Sequence, residues 1–231
     1  MEYAILHSGS NAVVHVSLQR GEKIRAEAGA MVARSTTLQI KGKMWGGVFG
    51  AMKRSFLGGE TFFFQEISAL TSAGEVVLAP RVLGDIKVIP VQHGQDFFVQ
   101  SGCLLASFEN VEMDTRAQRL AAGLFSGAGI FVLHLKGEGH IAVSSFGAIM
   151  EVPIPAGEQY VVDNGHLVAW SGDTEYKIVK AASSWVSSFT TGGMLACQFT
   201  GPGKVWLQTR NPSQFGNWIR RFVPRGISLI G

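Results

Sequence analysis

Apolar and polar positions along this chain alternate in short runs, and the period is closer to two than to 3.6. Val13–Val16, Thr37–Ile40, Phe97–Val99, Ile130–Leu135 and Tyr176–Val179 are rich in β-branched or aromatic residues and bounded by turn formers, which predicts strands. Pro80, Pro90, Pro153 and Pro155 suit edges and connectors, because proline cannot donate to a ladder. Only two stretches carry a helical signal. Asp114–Ala122 offers an acidic cap followed by helix formers. After Pro212, Phe215, Trp218, Ile219 and Phe222 recur at i, i+3, i+4 and i+7 beside Arg220, Arg221 and Arg225, and Pro224 ends the run.

The pattern also repeats. Ala28-Gly29-Ala30-Met31-Val32-Ala33, Ser101-Gly102-Cys103-Leu104-Leu105-Ala106 and Asn164-Gly165-His166-Leu167-Val168-Ala169 share one form: a small or polar residue, Gly, any residue, two apolar residues, Ala. A second landmark follows each. Gly137-Glu138-Gly139-His140-Ile141 matches Gly201-Pro202-Gly203-Lys204-Val205, and Ala73-Gly74-Glu75-Val76-Val77 is a looser first copy. These are read as glycine turns that reverse the chain into a strand. Leu57-Gly58-Gly59, Ser126-Gly127-Ala128-Gly129 and Thr191-Gly192-Gly193 form a third set. Gly29, Gly102, Gly165, Gly139 and Gly203 therefore define the repeat.

These landmarks predict an all-β fold of three tandem β-sandwich or double-stranded β-helix-like units, about residues 1–92, 93–157 and 158–211. A short C-terminal tail or helix covers 212–231. A unit of about 65 residues cannot easily close its own sheets; three around a pseudo-three-fold axis share a core and cover each other's edges, giving one domain.

Composition agrees. Gly supplies 29 of 231 residues, charged residues only 16% and apolar residues 46%, so the chain is neither disordered nor, lacking a period of three, collagenous. The net charge of +3 comes from basic residues read as scattered, too mild and dispersed to imply nucleic acid. Cys103 and Cys197 read as small core residues of a reducing compartment. The N-terminus resembles neither a signal peptide nor a presequence, and the charge-free stretch Ala181–Gly203 is too polar to span a bilayer. The expected location is cytoplasmic or peripheral to a membrane.

Catalytic patterns fail one by one. There is no His-x-His metal pair, no Gly-x-Ser-x-Gly elbow, no phosphate loop around Gly203-Lys204 and no dinucleotide fingerprint. Glu109, Glu112 and Asp114 cluster in sequence but read as a solvated connector. Lys204-Val205-Trp206 is the nearest approach to a base-stacking platform, and Trp206 alternates with core positions. We therefore expect no enzyme, no cofactor and no metal, and nucleic acid is disfavoured. What remains is association. The segment Lys41–Leu57 is rich in Gly, Met and aromatics and flanked by cations; within it Met44, Trp45, Phe49, Met52, Lys53, Arg54 and Phe56 form an expected contact surface for a subunit or a membrane.

Residues Tyr3–Arg210 resemble the altered-inheritance-of-mitochondria, or mitochondrial-biogenesis, family. Phe62-Phe63-Phe64 after Gly58-Gly59-Glu60, and the run Phe199–Arg210 with its Gly-Pro-Gly and Leu-Gln-Thr-Arg, carry the likeness. The resemblance implies a fold like the tryptophan-RNA-binding attenuator protein, with its unit triplicated, and no reaction. The expectation is a non-enzymatic, homo-oligomeric scaffold, at a membrane surface or free of it. The alternative is a small-ligand- or RNA-binding module on the same fold.

Overall fold

The computed structural model describes residues 1–44, 63–100, 102–114, 132–179 and 196–223. They form an all-β protein of seventeen strands with one short helix. Strands β1 (Glu2–Leu6), β2 (Val13–Leu18), β3 (Lys23–Glu27), β4 (Met31–Arg34), β5 (Gln39–Met44), β6 (Phe63–Ser68) and β7 (Gly74–Leu78) come first. They are followed by β8 (Ile86–Val91), β9 (Phe97–Gln100), β10 (Leu104–Asp114) and β11 (Val132–Ser144). The last six are β12 (Ile149–Ile154), β13 (Gln159–Asp163), β14 (Leu167–Ser171), β15 (Glu175–Val179), β16 (Ala196–Thr200) and β17 (Gly203–Gln208); helix α1 spans Pro212–Ile219.

All named strand pairs are antiparallel, as short alternating strands with tight turns require. One sheet runs β1-β2-β7-β4 and another β13-β16-β15; the largest links β12-β17-β14-β9-β11-β10-β3-β6-β5, with β8 also on β11. Pro90 and Pro153 lie in β8 and β12, both edge strands, where no ladder hydrogen bond is lost.

The three Gly-x-apolar-apolar-Ala motifs share one backbone device. The ladders β4·β7, β10·β11 and β14·β17 each slip register between the first apolar residue and the Ala: Met31/Ala33, Leu104/Ala106 and Leu167/Ala169. A bulge at Val32, Leu105 and Val168 puts two residues opposite one and increases the local twist.

The glycine turn expected at Gly137–Gly139 is absent. β11 runs through both residues without reversing: Val132–Leu135 pair with β9, Gly139–Ser144 pair with β8, and β10 stays alongside. Gly137 (φ +110°) and Gly139 (φ +153°) mark the point where the strand changes its partner on one side from β9 to β8. At the later copy β16 hands over to β17 across Gly201 and Pro202 in the same way. The pattern shows only that positive φ is needed, and a change of partner along a continuous strand uses it as a hairpin does. Glu109, Glu112 and Asp114 lie on β10 rather than on a connector. The expected helix after Asp114 and the third set of glycines fall outside the described residues.

Buried side chains gather in three clusters, and each draws on strands distant in sequence. The first packs Val14, Ile24 and Ile67 with Ile86, Leu105, Phe108 and Ala142. The second joins Phe64 to Val99, Leu135, Ile141 and Trp206. The third surrounds the fully buried Trp170 with Val132, Phe199 and Val205. Phe98 stacks on Trp170 at 5.2 Å, tying β9 to β14. Cys103 and Cys197 are both buried, and no disulfide joins the two.

Candidate functional site

Titratable side chains meet on the outer face of β12. Glu151 accepts hydrogen bonds from Lys87 Nζ at 2.6 Å, Lys204 Nζ at 2.7 Å and Trp206 Nε1 at 3.2 Å. Lys204 comes from β17, the ladder partner of β12, and Lys87 from β8, which pairs with β11. Their hydrogen bonds, Lys204 first, hold the Glu151 carboxyl at about 2 against the opposing effect of burial. A carboxylate so stabilised stays ionised at neutral pH and does not carry protons. The groove beside it has a volume of about 440 Å³ and is lined in part by Pro90, Phe97 and Pro153.

Histidines and carboxylates elsewhere pair in twos. His134 meets Asp96 at 2.7 Å and stacks on Phe98; His140 meets Glu109 at 3.0 Å beside Tyr3; His15 meets Glu75 at 3.3 Å. Among the described residues no three His, Cys, Asp or Glu side chains converge as metal ligands do. Burial pushes the Cys197 thiol up to about 12, which makes it a core group and not a nucleophile.

A second constellation is apolar. Asn211 caps α1 by accepting from the amides of Ser213 and Gln214, and Pro212 opens the first turn. Phe215 reaches back to Phe146 at 5.0 Å, Trp218 stacks on Phe215 at 6.0 Å, and Phe222 meets Trp218 edge-on at 5.0 Å. This aromatic ladder faces solvent: Trp218 is 52% and Phe222 69% exposed. A cleft of about 420 Å³ continues it, lined by Leu83, Phe146, Ala148, Arg210 and Phe215. Exposed Arg220 and Arg221 follow the helix.

Charge is less scattered than a whole-chain count implies. All seventeen carboxylate side chains lie at or before Glu175; the remaining residues carry seven Lys and Arg and no acid. The aromatic helix sits at the end of this purely basic stretch. Counting charge by segment finds the feature in the sequence, whereas the net value of +3 hides it.

Of the contact surface expected from sequence, Trp45, Phe49, Met52, Lys53, Arg54 and Phe56 lie outside the described residues. Met44 ends β5, paired with Phe63. The repeat glycines are placed apart: Gly29 and Gly102 adopt φ +87° and +82°, and Gly203 opens β17 at φ +152°. Gly165 instead sits in a 3-10 turn capped by Asp163, where the Asn211 carboxamide leaves no room for a side chain. These glycines shape the backbone and do not form one site.

A family model described as mitochondrial biogenesis AIM24 matches residues 3–210. An uncharacterised protein of Streptococcus pyogenes serotype M6 is 29% identical over 231 residues, which cover 97% of this chain and 92% of the relative. A crystal structure of a protein from Streptococcus pyogenes superposes with a TM-score of 0.80 at 25% identity, covering 96% of this chain and 99% of that one.

Proposed function

Starting from the chain's membership of the mitochondrial biogenesis AIM24 family, we propose that it is a non-enzymatic scaffold that associates with itself and rests on an anionic membrane surface through α1. One observation carries the reading: an exposed ladder of Phe215, Trp218 and Phe222 beside Arg210, Arg220 and Arg221, in a stretch with no acid. Aromatic rings settle at the boundary between headgroups and acyl chains, and each nearby cation adds about 1 kcal/mol against anionic lipid. No helix among the described residues is long and apolar enough to cross a membrane, so contact through α1 would lie in the surface. The body behind it is proposed to be three tandem copies of one unit, a reading supported by the bulge common to the three glycine motifs. RNA binding draws less support, because Trp206 is only 3% exposed and has no free face for a base.

Co-sedimentation with vesicles tests the reading. The chain should bind vesicles of phosphatidylcholine with about a third phosphatidylglycerol, and bind less as salt screens the headgroups. Trp218→Ser with Phe222→Ser should abolish binding while the melting of the β-body stays unchanged. Equal binding by wild type and double variant, or no binding to anionic vesicles at low salt, would overturn it.

A further inference from the structure

We infer that β13 of one copy pairs with β4 of a second copy, building a head-to-tail assembly from a seam already present twice inside each chain. The inference gives the proposed self-association its surface and depends on that reading.

Two seams are visible. In the first, β3 pairs with β10 so that Ala26 faces Ala106, Arg25 faces Ser107 and Ile24 faces Phe108. In the second, β9 pairs with β14: Val99 faces Ala169, Phe98 faces Trp170 and Phe97 faces Ser171. The rule is the same in both. The residue three before one landmark glycine, Gly29 or Gly102, faces the alanine four after the next, Gly102 or Gly165. Carried forward from Gly165 and round to Gly29, it pairs Val162 with Ala33, Val161 with Arg34 and Tyr160 with Ser35.

Both strands of that third seam lie open to other described strands. Among the described residues β13 pairs only with β16, and β4 only with β7. The cost appears in the side chains. Val32, the bulge residue of β4, is 62% exposed, whereas Leu105 and Val168 at the same motif position are 0% exposed. Val161 is 56% and Tyr160 41% exposed. Neither edge is defended along its length. Among the described residues, the edge strands β8 and β12 carry Pro90 and Pro153, and β5 and β15 carry Lys41 and Lys177, residues that discourage a further strand, while β1 carries neither but takes part in no seam of this kind. β13 reads Gln-Tyr-Val-Val-Asp, without proline or lysine.

Each chain thus offers one donor edge and one unlike acceptor edge. Such a contact is heterologous, so copies add in one direction until the rotation closes a ring. The edges also belong to two sheets, β1-β2-β7-β4 and β13-β16-β15, which joining would make continuous, as β3·β10 and β9·β14 do within the chain.

Opposed residues in a ladder lie about 5 Å apart at Cα, within reach of a disulfide. The experiment uses the full chain with Ala33→Cys, Val162→Cys, or both, oxidised mildly and read on non-reducing gels beside sedimentation of the wild type. Buried Cys103 and Cys197 serve as a silent background. Mixing the two single variants should give a cross-linked dimer that neither gives alone, and the double variant should give a ladder of multimers. A double variant that closes within one chain overturns the inference, since the third seam is then internal. An oligomer that never cross-links at these positions also overturns it but leaves self-association standing; a monomer at every concentration removes both. Val161→Arg, which sets like charges opposite each other, should weaken association at least tenfold, and Arg34→Glu on the same chain should restore it. A variant that had simply misfolded would not be rescued.

Discussion

Glu151 holds two ammonium groups and an indole N–H at once, and its stabilisation depends on pH in a defined direction. Its carboxyl is depressed from the ordinary value of 4.5 to about 2. The contribution is therefore complete above pH 4.5 and lost as pH falls toward 2. Glu151→Gln should lower stability at pH 7 by on the order of 1 kcal/mol, the scale of a partly exposed ion pair. Urea titrations should show the gap to wild type closing between pH 4.5 and pH 2. A gap that persists at pH 2 would mean that packing of Glu151, not its charge, matters. Cys197, with its thiol pushed up to about 12, and Cys103 should resist a thiol reagent in the native state and react once urea unfolds the chain. The cysteines were legible in sequence because each sits in an apolar run. The triad was not: Lys87 and Lys204 lie 64 and 53 residues from Glu151, and only the pairing of β8 and β17 with their neighbours brings them there.

Among the elements, β11 and α1 depend on single residues. A side chain at Gly139 would press within 2.7 Å of the Phe108 carbonyl oxygen and the Glu109 carboxylate, in a backbone region that L-residues rarely adopt. Gly139→Ala should cost about 2–4 kcal/mol, read from the urea midpoint. A neutral result would show that β11 can bend without that geometry. For α1, losing the Asn211 cap should cost about 1 kcal/mol of helix. Asn211→Ala is expected to weaken vesicle binding while leaving β-sheet melting in place. The period of Phe215, Trp218, Ile219 and Phe222 announced α1 directly. It also fixed which residues share a face, but not that the face would stay uncovered, since an apolar stripe ordinarily marks burial. In sequence the Gly137–Gly139 segment reads as a hairpin because a turn and a bend within a strand ask for the same φ, and only the strand partners distinguish them.

For the whole molecule, the three buried clusters decide what can fold by itself. The first cluster needs Ile86, Leu105, Phe108 and Ala142 beside the side chains of β2, β3, β6 and β7. A fragment of residues 1–80 should therefore lack a cooperative urea transition and show little ordered near-ultraviolet dichroism; a folded fragment would refute the shared core. Sequence exposed the recurrence of the glycine motifs but not this sharing, because nothing local to Val14 or Ile24 says which distant strand will cover it. The same sharing bears on how the chain is made. Val14 leaves the ribosome well before Ala142, which helps complete its cluster. At about 5–20 residues per second the interval is on the order of ten seconds. For that time Val14, Val16 and Ile24 stand without their covering strands, longer than hairpins take to form, and a holding chaperone has its opening there.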